Sequence, residues 1–117
     1  MKTSNKACRS QVQQRNAFTA SNIFAEYVTR NADGSTPHTC RYVVYSYGKH
    51  FPMYIYEGGA WYANIDKYSP STSRHQSQAN PCVGQATHTA PPIPMTTPQM
   101  QVIVRYGIAG LAAKGTN

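Results

Sequence analysis

Tyrosines recur through the centre of the chain, and lysine, arginine and histidine residues lie close to them in sequence. Aromatic rings can stack on nucleic-acid bases, or they can anchor a protein interface. Cations beside such rings can contact phosphate groups, and Arg41 is one further cation in this region. The sequence therefore predicts a binding surface, on which we place Tyr42, Lys49, His50, Tyr54, Tyr56, Tyr62, Lys67, Arg74 and His75.

The stretch YSPSTSRHQSQANP, residues 68–81, follows this aromatic region and contains many hydrogen-bond donors but no acid. Hydroxyl, amide and cationic groups that converge at the end of a strand can hold an anion. The same groups can instead satisfy backbone groups at the edge of a sheet, in which case the stretch is a structural arm. Both interpretations stay open, and Arg74 and His75 are the residues whose replacement would distinguish them.

Catalytic and metal chemistry has little support in the sequence. The thiols and imidazoles that could form a Cys–His nucleophile or a zinc site are His38, Cys40, His75, Cys82 and His88. Their spacing enforces no Cys–His contact and matches no compact zinc module. Only four acids are present, and no GxGxxG, GxxxxGK[ST] or GxSxG motif occurs. We therefore predict a binding protein without enzymatic activity, bound metal or cofactor.

The charge balance points to the class of partner. Eleven lysines and arginines oppose four acids, which gives a net charge of +7 over 117 residues. This excess favours a polyanion or an acidic protein surface as the partner. No apolar stretch approaches the roughly 20 residues of a membrane span, and the N-terminal MKTSNKACRSQVQQRN lacks the apolar segment of a secretory signal. We therefore expect no membrane contact and a cytoplasmic protein. With three cysteines and no CxxC pair, we also expect the thiols to be reduced.

The length fits one domain, for which we predict an α+β fold in four segments. Residues 1–17 form a polar segment with a short helix over 4–16, for which Ser4 is a candidate N-cap. Residues 18–66 form an antiparallel β-meander of three to four strands, because they are rich in β-branched and aromatic residues and are interrupted by glycines. Residues 67–97 form a polar, proline-rich arm, and residues 98–114 form a C-terminal helix.

The register of the meander follows from its loops. A loop over residues 48–50 would pair Tyr47 with Phe51, Tyr45 with Met53 and Val43 with Ile55. At the next turn, a strict two-residue loop at Gly58 would pair Ile55 with Tyr62, whereas a three-residue loop would pair Ile55 with Ala63. We prefer the three-residue loop because it keeps apolar residues on one face.

This register predicts two unequal faces. The inner face would consist of Val43, Tyr45, Tyr47, Phe51, Met53, Ile55, Trp61, Ala63 and Ile65. The opposite, tyrosine-rich face would consist of Tyr42, Val44, Ser46, Tyr54, Tyr56, Tyr62 and Asn64. The alternative to a binding surface is that a second layer, such as the N-terminal helix, buries this face.

The two C-terminal segments differ in pattern. Repeated prolines across residues 67–97 exclude a continuous helix or a central strand there. Beyond them, Thr97 can cap a helix, Pro98 suits its first position, and Gly115 suits its end. A helical apolar stripe, which would cover the inner sheet face, consists of Met100, Ile103, Val104, Ile108 and Leu111.

Three segments carry a resemblance to a known family. Residues 42–52 contain the pattern YVVYSYG-x-H-[FW]-P, residues 61–62 a W-[FY] pair, and residues 67–81 the pattern KYS-x-[ST]-TS-[KR]-H-x-SQ-x-x-P. Together with FTASN at residues 18–22, they resemble a family of small proteins from bacteriophages, plasmids and other mobile elements. Pro70 and Ser71 lie within the third pattern, and a proline-rich tail follows it.

The resemblance implies a setting but no catalytic residue. It implies a non-enzymatic protein that engages a host nucleic-acid-processing or defence complex in the bacterial cytoplasm, in the manner of an anti-CRISPR inhibitor. The expected partner is a host protein or ribonucleoprotein complex. The alternative is direct binding of single-stranded DNA or RNA by the tyrosine-rich face. The sequence does not give the oligomeric state.

Overall fold

The β-branched and aromatic centre of the chain forms strands, and the flanking segments form the helices that cover them. The structure is a computed structural model that describes residues 2–29, 40–66, 69–81, 92–108 and 110–111. In chain order the elements are α1 (Cys8–Gln13), β1 (Phe18–Thr19), β2 (Ile23–Val28), β3 (Arg41–Ser46), β4 (Pro52–Glu57), β5 (Ala60–Asn64), α2 (Pro70–Ala79), β6 (Ile93–Met95) and α3 (Thr97–Tyr106).

The strands form one six-stranded sheet in which spatial order follows chain order. Strands β1 to β5 are antiparallel neighbours, and β6 adds to β5 in the parallel direction. The α+β prediction of an antiparallel meander packed on a C-terminal helix is confirmed. The sheet has more strands than the predicted three to four, because residues at both of its edges also pair.

The register between β3 and β4 changes part-way along the strands. Val43 pairs with Ile55 as predicted, and Val44 pairs with Tyr54. The next residue of β3, Tyr45, pairs with Pro52, so one extra residue on β4 forms a β-bulge. The predicted pairing of Tyr45 with Met53 is therefore wrong, because it assumed a regular ladder.

The turn between β4 and β5 has the two-residue form that we did not prefer. Gly58 and Gly59 both have positive φ angles, 62° and 83°, which glycine adopts at little cost and which a tight hairpin turn requires. Ile55 consequently pairs with Tyr62. The three-residue loop is wrong, and the one-residue slip exchanges the faces of Trp61 and Tyr62.

One face of the sheet is covered by α1 and α2. The core on this side contains side chains of both helices and of the tyrosine-rich face. It also contains Phe51, Met53 and Trp61, which the predicted register had assigned to the opposite, inner face. The buried members are Cys8, Val12, Phe18, Ile23, Ala25, Tyr42, Val44, Phe51, Met53, Tyr54, Trp61 and Ala79. The tyrosine-rich face is thus interior.

The other face is covered by α3. Met100 and Ile103 of the predicted stripe are buried there, and Val104, Ile108 and Leu111 pack partly buried against the same core. The sheet contributes Val43, Tyr45, Ile55 and Tyr62. Two residues predicted for this face, Tyr47 and Ile65, are instead largely exposed.

Helix α2 lies within the segment that we predicted to be an arm. Ser69 is its N-cap and accepts a 3.1 Å hydrogen bond from the Thr72 backbone N–H, and Pro70 occupies the first turn. Proline is tolerated there because its missing N–H has no helical partner at that position. The residues that α2 buries have helical spacing but are mostly polar: Thr72, His75, Gln76 and Ala79. The prediction was wrong because this stripe has no apolar periodicity.

Strand β6 also lies in the predicted arm. Ile93 pairs with Tyr62 and Met95 pairs with Asn64. Pro94 is accommodated because β6 is at the edge of the sheet, where one side of the strand has no neighbour to receive an N–H.

Helix α3 begins one residue before the predicted range. Thr96 caps it, and Thr96 and Gln99 form a capping box. The helix ends at Tyr106, because the next residue, Gly107, has a φ of 80°; its N–H makes the last i→i−4 hydrogen bond, to the Ile103 carbonyl. The prediction extended the helix to residue 114. Ile108, Gly110 and Leu111 are again helical, and residues 109 and 112–114 lie outside the described part of the chain.

Helix α1 is shorter than the predicted range of 4–16. It covers Cys8–Gln13, and its N-cap position is Ala7. Ser4 does not cap the helix itself, but its Oγ accepts a 3.1 Å hydrogen bond from the Ala7 N–H and so stabilises the turn that leads into it.

Candidate anion-binding groove

A polar groove of about 350 Å³ lies where helix α2 meets the segment before α1, the β1–β2 turn and the residue after β3. Its walls consist of Ser4, Asn5, Lys6, Ser21, Asn22, Tyr47, Ser71, Arg74, His75 and Gln78. The set contains two full cations, one imidazole and many hydroxyl and amide groups, and none of these residues is an acid. Groups of this kind bind anions.

The helical spacing of three α2 residues places their side chains on the groove side of the helix. Ser71, Arg74 and Gln78 lie three and four residues apart and so share one face of the helix. His75 belongs both to this face and to the buried stripe, which places its ring at the floor of the groove.

His75 is fixed by a buried hydrogen bond. Its Nδ1 lies 2.7 Å from the Oγ of Ser46, the last residue of β3, and the side chain is only 4% exposed. Burial, together with the neighbouring positive charge of Arg74, lowers the pKa of His75 below its ordinary value. The imidazole is therefore neutral near pH 7, and the positive charge of the groove comes from Lys6 and Arg74.

Tyr47 projects beside His75 from a constrained backbone. Its φ is 66°, in the left-handed region that bulky residues rarely adopt, and its N–H donates a 2.8 Å hydrogen bond to the Asn22 carbonyl. The ring is 53% exposed, and its centroid lies 5.1 Å from that of His75. The β1–β2 turn thus holds an exposed aromatic ring at the groove, at some cost in backbone strain.

The tyrosines predicted to bind lie elsewhere. Tyr42, Tyr54 and Tyr62 are buried. Their rings fill the two cores, and two of their hydroxyls serve backbone carbonyls, Tyr42 that of Asn16 and Tyr54 that of Gln76, each at 2.6 Å. Burial raises the pKa of Tyr42 and of Tyr62. These three rings are not available for stacking on a base.

Tyr56 is half-buried. The guanidinium of Arg15 lies 4.4 Å from the centre of its ring, an arrangement typical of a cation–π contact. Trp61 also contacts this ring edge-on, at 5.1 Å between centroids.

Arg41, which we expected to contact phosphate, is buried with no exposed surface. Its Nε donates a 3.1 Å hydrogen bond to the Val104 carbonyl. Burial lowers its pKa, and the nearby carboxylate of Glu57 acts in the opposite direction. Glu57 in turn accepts a 3.0 Å hydrogen bond from the Ile108 N–H, and a Cβ at Gly107 would lie 2.9 Å from its carboxylate. Arg41 therefore belongs to the packing of the end of α3.

Lys49 and His50 lie on the α3 side of the sheet, away from the groove. With Gln101, Val104 and Arg105 they line a second, smaller depression of about 230 Å³. Lys49 makes a 3.1 Å ion pair with Glu26, which reduces the charge it can offer to a ligand. Lys67 lies outside the described residues.

The structure thus brings Arg74 and His75 together and separates them from the other predicted site residues. The residues that sequence reasoning missed are Lys6, Asn22, Ser46 and Tyr47. One sequence signal pointed to most of them. Residues 18–22, 42–52 and 67–81 were singled out as patterned segments, and all three contribute to this groove or its floor.

Among the described residues, the side chains do not form a Cys–His nucleophile or a metal-binding cluster. Cys8 is buried, and burial raises its pKa to about 11, which makes its thiol a poor nucleophile. Within the described residues, no three His, Cys, Asp or Glu side chains lie close enough to hold a metal ion. His38, Cys82 and His88 lie outside them. Ser46 is buried, so its contact with His75 orients the ring and does not present a hydroxyl to a substrate.

No family model, curated protein or solved structure matches the chain. In the described part of the structure, no helix is both long enough and apolar enough to cross a membrane.

Proposed function

We propose that this protein is a non-enzymatic binding protein of a phage or plasmid, which engages a host nucleic-acid-processing or defence complex in the bacterial cytoplasm. The groove at α2 contacts phosphate groups of the nucleic acid in that complex. The observation that carries the proposal is the set of groove-lining residues, which contains Lys6 and Arg74 but no acid.

Electrostatics favour a phosphate-bearing partner. The net charge of +7 attracts polyanions at long range, and the groove concentrates two exposed cations among hydroxyl and amide donors. Lysine and arginine that neutralise backbone phosphates release condensed counterions, which makes binding strong at low salt.

The second candidate is direct binding of single-stranded DNA or RNA without a protein partner. The observation that favours it is Tyr47, an exposed ring beside the cations. This differs from the surface expected from the sequence, because the aromatic contribution comes from a loop residue and not from the sheet.

Capture from a bacterial lysate tests the first proposal. Tagged protein should retain a defined nucleic-acid-containing complex, and nuclease treatment or added salt should reduce the amount retained. Arg74→Gln should weaken retention, because it removes one of the two groove cations while keeping a side chain of similar length. Arg105→Gln is the matched control, since Arg105 is an exposed cation on the α3 side.

Retention that is unaffected by nuclease, by salt and by Arg74→Gln would contradict the groove as the contact. If no defined complex is retained but purified protein binds single-stranded oligonucleotides, the second candidate is correct.

A further inference from the structure

Tyr47 is the one residue of the groove whose conformation is costly and whose side chain is nonetheless exposed. A tyrosine at a φ of 66° is strained, and its ring is 53% exposed, so its own burial contributes little to offset that strain. The backbone is held there by the Tyr47–Asn22 hydrogen bond of 2.8 Å. The fold thus keeps an aromatic ring at a solvent-facing position where packing alone does not require one.

The Tyr47 ring is supported by His75. It packs at a 50° tilt against His75, and the 2.7 Å contact with Ser46 fixes the orientation of that imidazole. A ring supported in this way loses little conformational entropy when a ligand stacks on it. Base–aromatic stacking is the interaction that such a platform offers to nucleic acids.

Two cations lie in the same groove as the Tyr47 ring. Lys6 and Arg74 line the same groove as Tyr47 and bring positive charge to an aromatic surface. The groove volume of about 350 Å³ lies in the range of sites for small organic ligands, which is larger than a lone inorganic anion requires.

We propose that the groove holds one unpaired nucleotide of a single-stranded DNA or RNA, with its base stacked on Tyr47 and its phosphate between Lys6 and Arg74. This inference rests on the proposed function and names the chemical unit that the groove takes. Duplex nucleic acid cannot present a base to Tyr47 without unstacking it, so single strands should bind more tightly.

Fluorescence anisotropy with labelled oligothymidylate, oligouridylate and a duplex of equal length tests the inference. Tyr47→Ala should weaken single-strand binding about tenfold, whereas Tyr47→Phe, which keeps the ring, should bind as the wild type does. Lys6→Gln and Arg74→Gln should each lower the slope of log affinity against log salt by about one. Arg105→Gln should leave the slope unchanged.

Titration of the wild-type protein, followed by NMR, keeps the test independent of whether the variants fold. Thymidine 5′-monophosphate and uridine 5′-monophosphate should shift the amide signals of Tyr47, Gly48 and Arg74. Inorganic phosphate should shift those of Lys6 and Arg74 but leave the Tyr47 ring signals in place. The two nucleotides and the two oligonucleotides distinguish a DNA ligand from an RNA ligand.

The nucleotide site would be overturned if single strand and duplex bind with equal affinity and Tyr47→Ala binds single strands as tightly as the wild type does. Nucleotide and phosphate titrations that shift the same signals would also overturn it and leave an anion site only. Neither result would contradict the proposed function, which the lysate capture decides separately.

Discussion

Helices α2 and α3 resemble each other in length and capping, but they bury different kinds of side chain against the sheet. Each has ten residues, a Ser or Thr N-cap that accepts a backbone N–H, and a proline in its first turn. Each covers one face of the same sheet. Helix α3 buries an apolar stripe, whereas helix α2 buries Thr72, His75, Gln76 and Ala79.

The two stripes stabilise the fold in different ways. Ile103 and Met100 contribute through burial, which is not directional. Gln76 contributes through directed bonds: its side-chain Nε2 donates to the backbone carbonyls of Asn64 and Asp66 at 3.0 and 3.1 Å. Its backbone carbonyl accepts a hydrogen bond from the Tyr54 hydroxyl. A polar stripe therefore specifies one position of the helix and places Arg74 and Ser71 at the groove, whereas an apolar stripe tolerates exchange of similar volume.

The largest effect is expected on the α3 side. Ile103→Ala should lower the free energy of unfolding by roughly 2–5 kcal/mol, because it leaves a cavity in a fully buried core. Chemical denaturation measures this loss. Arg105→Ala, at an exposed position of the same helix, should change stability by less than about 0.5 kcal/mol. Similar losses for both variants would mean that α3 is not packed on the sheet as described.

A smaller loss is expected on the α2 side. Gln76→Met keeps the length of the side chain but removes the donor to the Asn64 and Asp66 carbonyls, and should cost about 1–3 kcal/mol. Ser77→Ala, on the exposed face of α2, is the control. If Gln76→Met is neutral, the polar stripe contributes no more than an apolar one would, and the contrast between the helices fails.

The smallest effect is expected in the pH dependence, since it concerns a single proton on α2. The folded-state pKa of His75 is lowered, so the unfolded chain binds a proton more readily than the folded one. The associated stability is present above about pH 6.5, the usual unfolded value, and is lost as the pH falls through the lowered folded pKa. The melting temperature should therefore fall between about pH 7.5 and pH 5.

The His75→Gln variant should show a weaker dependence over that interval, whatever its absolute stability. Ser77→Ala, which replaces a non-titrating, exposed side chain of α2, should retain the wild-type dependence. An unchanged dependence in His75→Gln would show that His75 is not the group that titrates. Because His75 also supports the fold, Arg74→Gln alone is a cleaner probe of binding than a double replacement of both residues.

The contrast between the helices also explains what the sequence could and could not predict. Helix α3 was recognised because Met100 and Ile103 belong to an apolar helical stripe behind a Thr-Pro start. Helix α2 has the same kind of start, Ser69-Pro70, but its buried positions are hydrogen-bonding residues, which composition does not distinguish from a solvated loop.

In the sheet, the strands were predictable from residue type but their register was not. Val43 and Ile55 pair as expected, whereas the bulge beside Tyr45 and the glycine turn at Gly58 depend on local backbone geometry. A shift of one residue was enough to reverse the sides of Trp61 and Tyr62.

For the site, Arg74 and His75 were predictable as a donor-rich pair. Tyr47 was not, because alternation assigned it to the inner face, whereas its positive φ takes it out of the strand pattern.

The parallel pairing of β5 with β6 has a kinetic consequence. Strands β1 to β5 can pair with neighbours that follow directly in the chain, but β6 can join only after the segment between Asn64 and Ile93 has closed on itself. Closure of a long segment carries an entropic cost before its contacts form, so we expect this step to come late in folding. Stopped-flow folding and unfolding of Gln76→Met, followed by Trp61 fluorescence, should show a faster unfolding rate with little change in the folding rate. Helix α2 lies in that closing segment, so we expect the groove that it lines to form late as well.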